Sequence, residues 1–177
     1  QRGVDGRGVA QYAANPGGAP ANLAVAASRL GASTAFVGKV GKDAYGSYLR
    51  TVLQENGVDT QGLLEDSKEH TTLAVVSVDE TGERSFSFYR EPSADVNLKA
   101  EEIPAALLKD TRLLHFGSVS LTAEPARSAT LYAAKKAREN GCLVSYDPNY
   151  RASLWSSEEE AIREMKNALP LCDILKI

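Results

Sequence analysis

The period of the hydrophobic positions changes several times along the chain, and each change predicts an element. Residues 22–30 form an alanine-rich run with Leu23, Val25 and Leu30, which predicts a helix stopped by Gly31. Residues 35–40 are short, apolar and partly β-branched, and predict a strand. Tyr45, Tyr48, Leu49, Val52 and Leu53 then recur at i, i+3, i+4, i+7 and i+8, one face of a helix with Asp43 as its N-cap and Gly57 as its stop. Residues 72–78 and 84–90 flank a polar connection at 79–83. The second of these runs alternates polar and aromatic residues, so the pair predicts an antiparallel hairpin with one open face. Beyond Pro104 come a buried strand at 113–116, an alanine-rich helix at 125–140 ended by Gly141, and a strand at 143–146. A helix over 158–169, with Ile162, Met165 and Leu169 turned inward, and a last strand over 173–177 complete the pattern.

Strands that alternate with helices imply right-handed crossovers and a mostly parallel, doubly wound sheet flanked by helices. The hairpin stands outside that rhythm and predicts a small β lid beside the α/β core. Residues 1–15 are rich in Gly, Ala and Gln and hold no complete first strand, whereas residues 172–177 are strand-like to the final position. The expectation is therefore one partial domain over 1–177, cut short at both ends, with lid segments at about 12–20 and 70–95.

Composition narrows the function classes. A chain of 177 residues is long enough for one domain with a sizeable core, and 43% hydrophobic with 24% charged residues places it among ordinary globular proteins. The net charge of -3 is spread over both signs without a basic run, which argues against nucleic acid as a partner. No apolar run approaches the roughly 18 residues of a membrane helix, and no signal-peptide pattern opens the sequence. Cys142 and Cys172 sit in apolar segments far apart, so unpaired thiols and a cytoplasmic location are expected. Two histidines and two cysteines at no ligand spacing argue against a His/Cys metal site.

Ligands of doubly wound sheets bind beyond the carboxyl ends of the strands, and three segments meet that rule. Gly17-Gly18-Ala19-Pro20-Ala21-Asn22 precedes a helix. Its glycines let a ligand approach the backbone, and Asn22 adds a donor and an acceptor for a hydroxyl-rich ligand. Residue types alone leave this segment equally a plain turn with a helix cap. No Gly-Lys-Ser/Thr follows it and it is not Gly-x-Gly-x-x-Gly, which excludes a Walker A loop and leaves a dinucleotide site unsupported. Asp147-Pro148-Asn149-Tyr150-Arg151 follows a strand and combines an acid, an amide and a guanidinium, whose planar fork suits phosphate oxygens. Asp-Pro-Asn is also good turn chemistry, and a turn and a site are compatible here. Phe88-Tyr89-Arg90 ends the hairpin and offers an exposed aromatic and an arginine to close over a substrate; a solvated edge strand has the same look.

Taken in order, these segments resemble the PfkB family of carbohydrate kinases, and the fructokinases within it. The resemblance rests on Gly17-Gly18-Ala19-Pro20-Ala21-Asn22-Leu23-Ala24 with Gly31, and on Gly38 to Gly46. It continues through Phe88-Tyr89-Arg90 with Pro92-Ser93-Ala94-Asp95, His115 to Leu121, and Asp147 to Arg151 with Leu154-Trp155. It implies a ribokinase-like fold and transfer of the ATP γ-phosphate to a sugar hydroxyl, here the 6-hydroxyl of D-fructose. By carry-over, Gly17, Gly18 and Asn22 would contact the sugar, Phe88 and Arg90 would reach it from the lid, and Ser118 would line the same pocket. Asn149 and Arg151, with Asp147 behind them, would lie near the transferring phosphoryl group.

The resemblance also implies ATP and Mg2+, with K+ as a further cation, bound mainly by parts that this sequence lacks. The family's Gly-Ala-Gly-Asp segment, which carries its general base, does not occur. Its Asn/Ser-x-x-Glu element, linked to magnesium, is expected just after a strand like 173–177, where the sequence stops, and the strand bearing an early acidic sugar contact is missing as well. The chain alone is therefore expected to be inactive. Other readings are a kinase for 2-keto-3-deoxygluconate, ribose or a nucleoside, and a truncated, non-catalytic sugar-binding paralogue. A homodimer through the lid is expected, because an unprotected strand edge invites pairing.

Overall fold

The computed structural model describes residues 3–78, 81–90 and 92–177; Gln1, Arg2, Asp79, Glu80 and Glu91 lie outside the described residues. Strands β1 (Gly3–Val4) and β2 (Ala10–Gln11) form an antiparallel ladder. Their turn is held by the Asp5 carboxylate, which accepts from the backbone N–H groups of Arg7 and Val9. Helix α1 (Ala19–Arg29) starts three residues earlier than its apolar run predicts, because Pro20 at its head needs no N–H partner there. The predicted stop is present, with Gly31 at φ 92° beyond the last turn.

The single strand predicted over 35–40 is two strands, β3 (Thr34–Ala35) and β4 (Gly38–Gly41). The chain changes partner between them. β3 pairs in parallel with β5 (Val58–Asp59), and β4 with β6 (Leu63–Asp66). Between them Phe36 packs into the core of α1 and β4 to β6, while Val37 packs into the core built by the later helices. Helix α2 (Ala44–Glu55) begins as predicted at Asp43, whose carboxylate accepts from Gly46 N–H at 2.7 Å. It lies so close to β4 that a Cβ on Gly46 would stand 2.1 Å from the Gly41 carbonyl oxygen.

Strands β7 (Leu73–Val78) and β8 (Arg84–Tyr89) form the predicted antiparallel hairpin, in register from Leu73 opposite Tyr89 to Val78 opposite Arg84. Ala74, Val76, Val78, Phe86 and Phe88 share one of its faces. The Phe86 and Phe88 rings stack there at 6.2 Å, and Phe86 and Val78 are each about half exposed.

After the short helix α3 (Ala105–Lys109), β9 (Leu113–Gly117), α4 (Ala126–Glu139), β10 (Leu143–Asp147), α5 (Glu158–Ala168) and β11 (Ile174–Leu175) follow in turn. The three strands make a parallel sheet in the order β11, β10, β9. One face is the main core. Phe116 and Tyr146 stack at 4.6 Å, and with Val144 they pack among Ala134, Ala137, Trp155, Ala161 and Ala168. The other face carries Leu113, Leu143 and Ile174, each close to half exposed.

Helix α5 corrects one expectation. Its inward side is Ala161, Glu164, Met165 and Ala168, while Ile162 and Leu169 are largely exposed. A buried ion pair, not an apolar side chain, sets this rotation. Glu164 accepts from Arg163 at 2.8 Å and faces Arg127 at 3.6 Å, and Arg127 also holds Glu160 at 2.8 Å. Cys142 is buried and Cys172 partly so, and both are unpaired thiols.

Candidate functional site

Strands β9 and β10 end level with each other, Gly117 opposite Asp147, so the segments after them leave the sheet at one edge. Ser118, the first residue of the single turn Ser118–Leu121, is fully buried, and its hydroxyl donates to the Pro148 carbonyl. That bond ties the two segments together. Asn149 follows at φ 34°, a conformation that asparagine tolerates better than most residues. Arg151 is exposed, with one Nη donating to the Tyr150 carbonyl at 3.0 Å, so most of its fork faces solvent.

Asp147 is buried and receives Lys176 Nζ at 2.7 Å. Lys176 escaped the sequence reading. The available signal was strand register: it follows β11, and its N–H donates to the Tyr146 carbonyl, which sets it beside Asp147. His115 lies two residues before Gly117, with Nδ1 3.0 Å from the Ser145 hydroxyl. Burial pushes its pKa down; the Asp147 charge opposes that and the Lys176 charge adds to it.

The hairpin meets this edge at its base. Phe88 is half-buried and Tyr89 is 59% exposed. Arg90, expected to reach a sugar from the flap, is only 8% exposed. The difference follows from its partners. Nε donates to Asp95 at 2.8 Å, one Nη to the Thr122 hydroxyl, and the other to the Val119 carbonyl at 3.0 Å. The second Asp95 oxygen accepts from the hydroxyls of Ser93 and Thr72, so the bases of both hairpin strands are fastened to one carboxylate. Asp95 and Thr122 carry this network; the sequence showed Asp95 only as part of a motif and gave Thr122 no signal.

Gly17 and Gly18 are exposed. Gly18 caps α1 at φ 99° with its carbonyl accepting from Asn22 N–H, and the Asn22 side chain faces solvent. The body of α1 packs against β3, β5 and β9. Arg90, Ser118, Asp147 and Asn149 are thus gathered at the β9 and β10 edge, with Gly17, Gly18 and Asn22 at the head of a neighbouring helix. Two open hollows of about 400 and 200 Å3 lie instead around residues 65–70, lined by Lys39, Asp66 and Glu102 and by Lys42, Asp43 and His70 respectively. Neither includes a site residue expected from the sequence. Among the described residues no group of three or more His, Cys, Asp or Glu stands ready to hold a metal ion, and no helix is long and apolar enough to cross a membrane.

Comparison with known proteins bears on the family and the fold. The family described as pfkB family carbohydrate kinase matches residues 3–177. Fructokinase-1 of Zea mays is 50% identical over 162 residues, covering 92% of this chain and 50% of that protein. A fructokinase from Xylella fastidiosa solved with bound ATP superposes with a TM-score of 0.85 at 39% identity, over 90% of this chain and 50% of that one. The Vibrio cholerae O395 fructokinase bound to fructose, ADP and calcium gives 0.86 at 40% identity, over 97% of this chain and 54% of the other. The chain thus spans about half the length of the relatives it matches.

Proposed function

We propose, since the chain belongs to the pfkB family of carbohydrate kinases, that it forms the sugar-recognising part of an enzyme that phosphorylates the 6-hydroxyl of D-fructose. The observation that carries this reading is the convergence of Ser118, Asp147, Asn149 and Arg151 where two parallel strands end level, in a chain half identical to a fructokinase. Gly17 and Gly18 let a small polyol approach the backbone, and Asn22 offers it a donor and an acceptor. Phe88 supplies an apolar wall on the hairpin, which we take to be the lid. Lys176 balances the charge of Asp147, and the exposed fork of Arg151 fits phosphate oxygens in a bidentate manner.

ATP, when bound, supplies the phosphoryl group, and Arg151 with Asn149 would face its oxygens. Stabilising charge that develops on those oxygens is the contribution these two residues can make. Arg151 and Asn149 fit the phosphate, and no described residue is assigned to Mg2+, which a kinase site holds with one or two carboxylates and the substrate phosphates. The sequence also lacks the family's Gly-Ala-Gly-Asp segment, so no proton acceptor for the sugar hydroxyl is assigned here.

The test compares the 177-residue chain with a protein extended to the relatives' full length, each supplied with Mg-ATP and a panel of fructose, ribose, a nucleoside and 2-keto-3-deoxygluconate. The extended protein is expected to phosphorylate fructose at the highest kcat/KM. The chain alone is expected to show no turnover, because general base catalysis by itself contributes about 10²–10⁴-fold. A higher kcat/KM on the keto acid or the nucleoside would overturn the choice of sugar, and turnover by the short chain would overturn its assigned incompleteness. We also propose that the apolar hairpin face, with Val78 and Phe86 exposed, pairs two copies of the protein.

A further inference from the structure

We infer that Arg90 is a positioning residue that joins the base of the β7–β8 hairpin to the phosphoryl-side loop, and that Ser118 completes the same strut. The inference rests on the kinase reading above and changes the job of two residues expected to touch the sugar. Arg90 is 8% exposed and has a protein partner on each of its three guanidinium nitrogens. A side chain so committed has little left to offer a ligand, and an arginine that loses one of these partners leaves a buried donor unpaired.

The path is continuous. Thr72, which precedes β7, and Arg90, which follows β8, both bond to Asp95. Arg90 then holds the turn after β9 at two points, the Val119 carbonyl and the Thr122 hydroxyl, and that hydroxyl donates to the Val119 carbonyl at 2.8 Å. Ser118, fully buried at the start of that turn, donates to the Pro148 carbonyl, one residue before Asn149 and three before Arg151. Movement of the hairpin base is therefore transmitted through Arg90 and Ser118 to the segment that carries the phosphate-facing arginine. A sugar that draws the hairpin down also sets Arg151.

The experiment uses the protein extended to the relatives' full length, with T122V, T122S and R90Q. T122V removes one partner of the guanidinium and leaves Arg90 in place. It is expected to lower kcat about 10-fold while the KM for fructose stays within about twofold, since small displacements of a catalytic group cost up to about 10²-fold. T122S, which keeps the hydroxyl, is expected to restore kcat, and R90Q to lower it further. Amide hydrogen exchange, read without turnover, should quicken at 118–122 and 149–155 in T122V and R90Q, the second window including the Leu154 and Trp155 amides bonded to Arg151 and Ala152. A raised KM for fructose in R90Q with kcat unchanged and T122V silent would make Arg90 a direct sugar contact and overturn the strut. Unchanged exchange at 149–155 in T122V would overturn it too, even if R90Q fails to fold. Should the wild-type protein phosphorylate no sugar of the panel, the kinase reading falls, and the exchange pattern still decides the strut.

Discussion

Arg90 and Arg151 both stand just past the end of a strand, and their surroundings give them opposite tasks. Arg90 is enclosed by Asp95, Thr122 and the Val119 carbonyl, whereas Arg151 keeps most of its fork in solvent. Sequence alone gives the residue type and its place after a strand; it cannot give the partners, which come from segments five to about thirty residues away. His115 offers a test at this scale. Burial disfavours its charged form, so its folded pKa lies below the ordinary 6.5. The unfolded chain takes up a proton near pH 6.5 that the folded chain refuses until lower pH. The stability His115 contributes is thus complete above pH 6.5 and is lost as pH falls through the folded pKa. The melting temperature should drop as pH falls below about 6.5, and H115N should flatten that slope. An equal slope in H115N would contradict the assignment. Asp66, held down first by the Lys68 backbone N–H, titrates in a lower window, below the ordinary 3.8.

Elements were legible in proportion to their length. The helices at 19–29, 44–55, 126–139 and 158–168 were all visible in the pattern, the first three with their glycine stops. β3, β5, β1 and β2 have two residues each, too few for any period to register, and β3 merged with β4 in the pattern because only the partner strand changes there. The misjudged face of α5 has an electrostatic cause. The scale of hydrophobicity places Ile162 inside, but Arg127 needs carboxylates, and Glu160 and Glu164 turn the helix to provide them. The hairpin carries the prediction for this scale. If its apolar face pairs two copies, F86D places an uncompensated charge in the contact. The extended protein should then sediment as a dimer and F86D as a monomer, with the fructose KM rising if lid and partner act together. A wild-type monomer at micromolar concentration would remove the interface.

At the scale of the whole molecule, the parallel α/β architecture followed from the alternation of strands and helices, and the ordered motifs led to the family. The one-sidedness of the main sheet could not be foreseen, because Leu113 and Leu143 look like core residues in the pattern and are about half exposed in the fold. α4 and α5 cover only one face of that sheet, and the chain spans about half the length of its relatives. The 177-residue chain alone should therefore bind the dye ANS and melt over a broad range, whereas the protein extended to full length should bind little dye and melt sharply. A sharp, dye-silent transition of the short chain would show that this face is stable in water.

That half-covered sheet also sets a clock. In a protein of the relatives' length, about as many residues again would lie outside the segment described here. At roughly 5–20 residues per second, synthesis of that many residues takes on the order of 10 s, so any part of the cover made after Leu113, Leu143 and Ile174 leaves them open to water for seconds. The interval is long beside the folding time of a small domain. A nascent chain paused in this window is a natural client for a chaperone that grips short apolar strands, and slow codons just downstream would lengthen its risk.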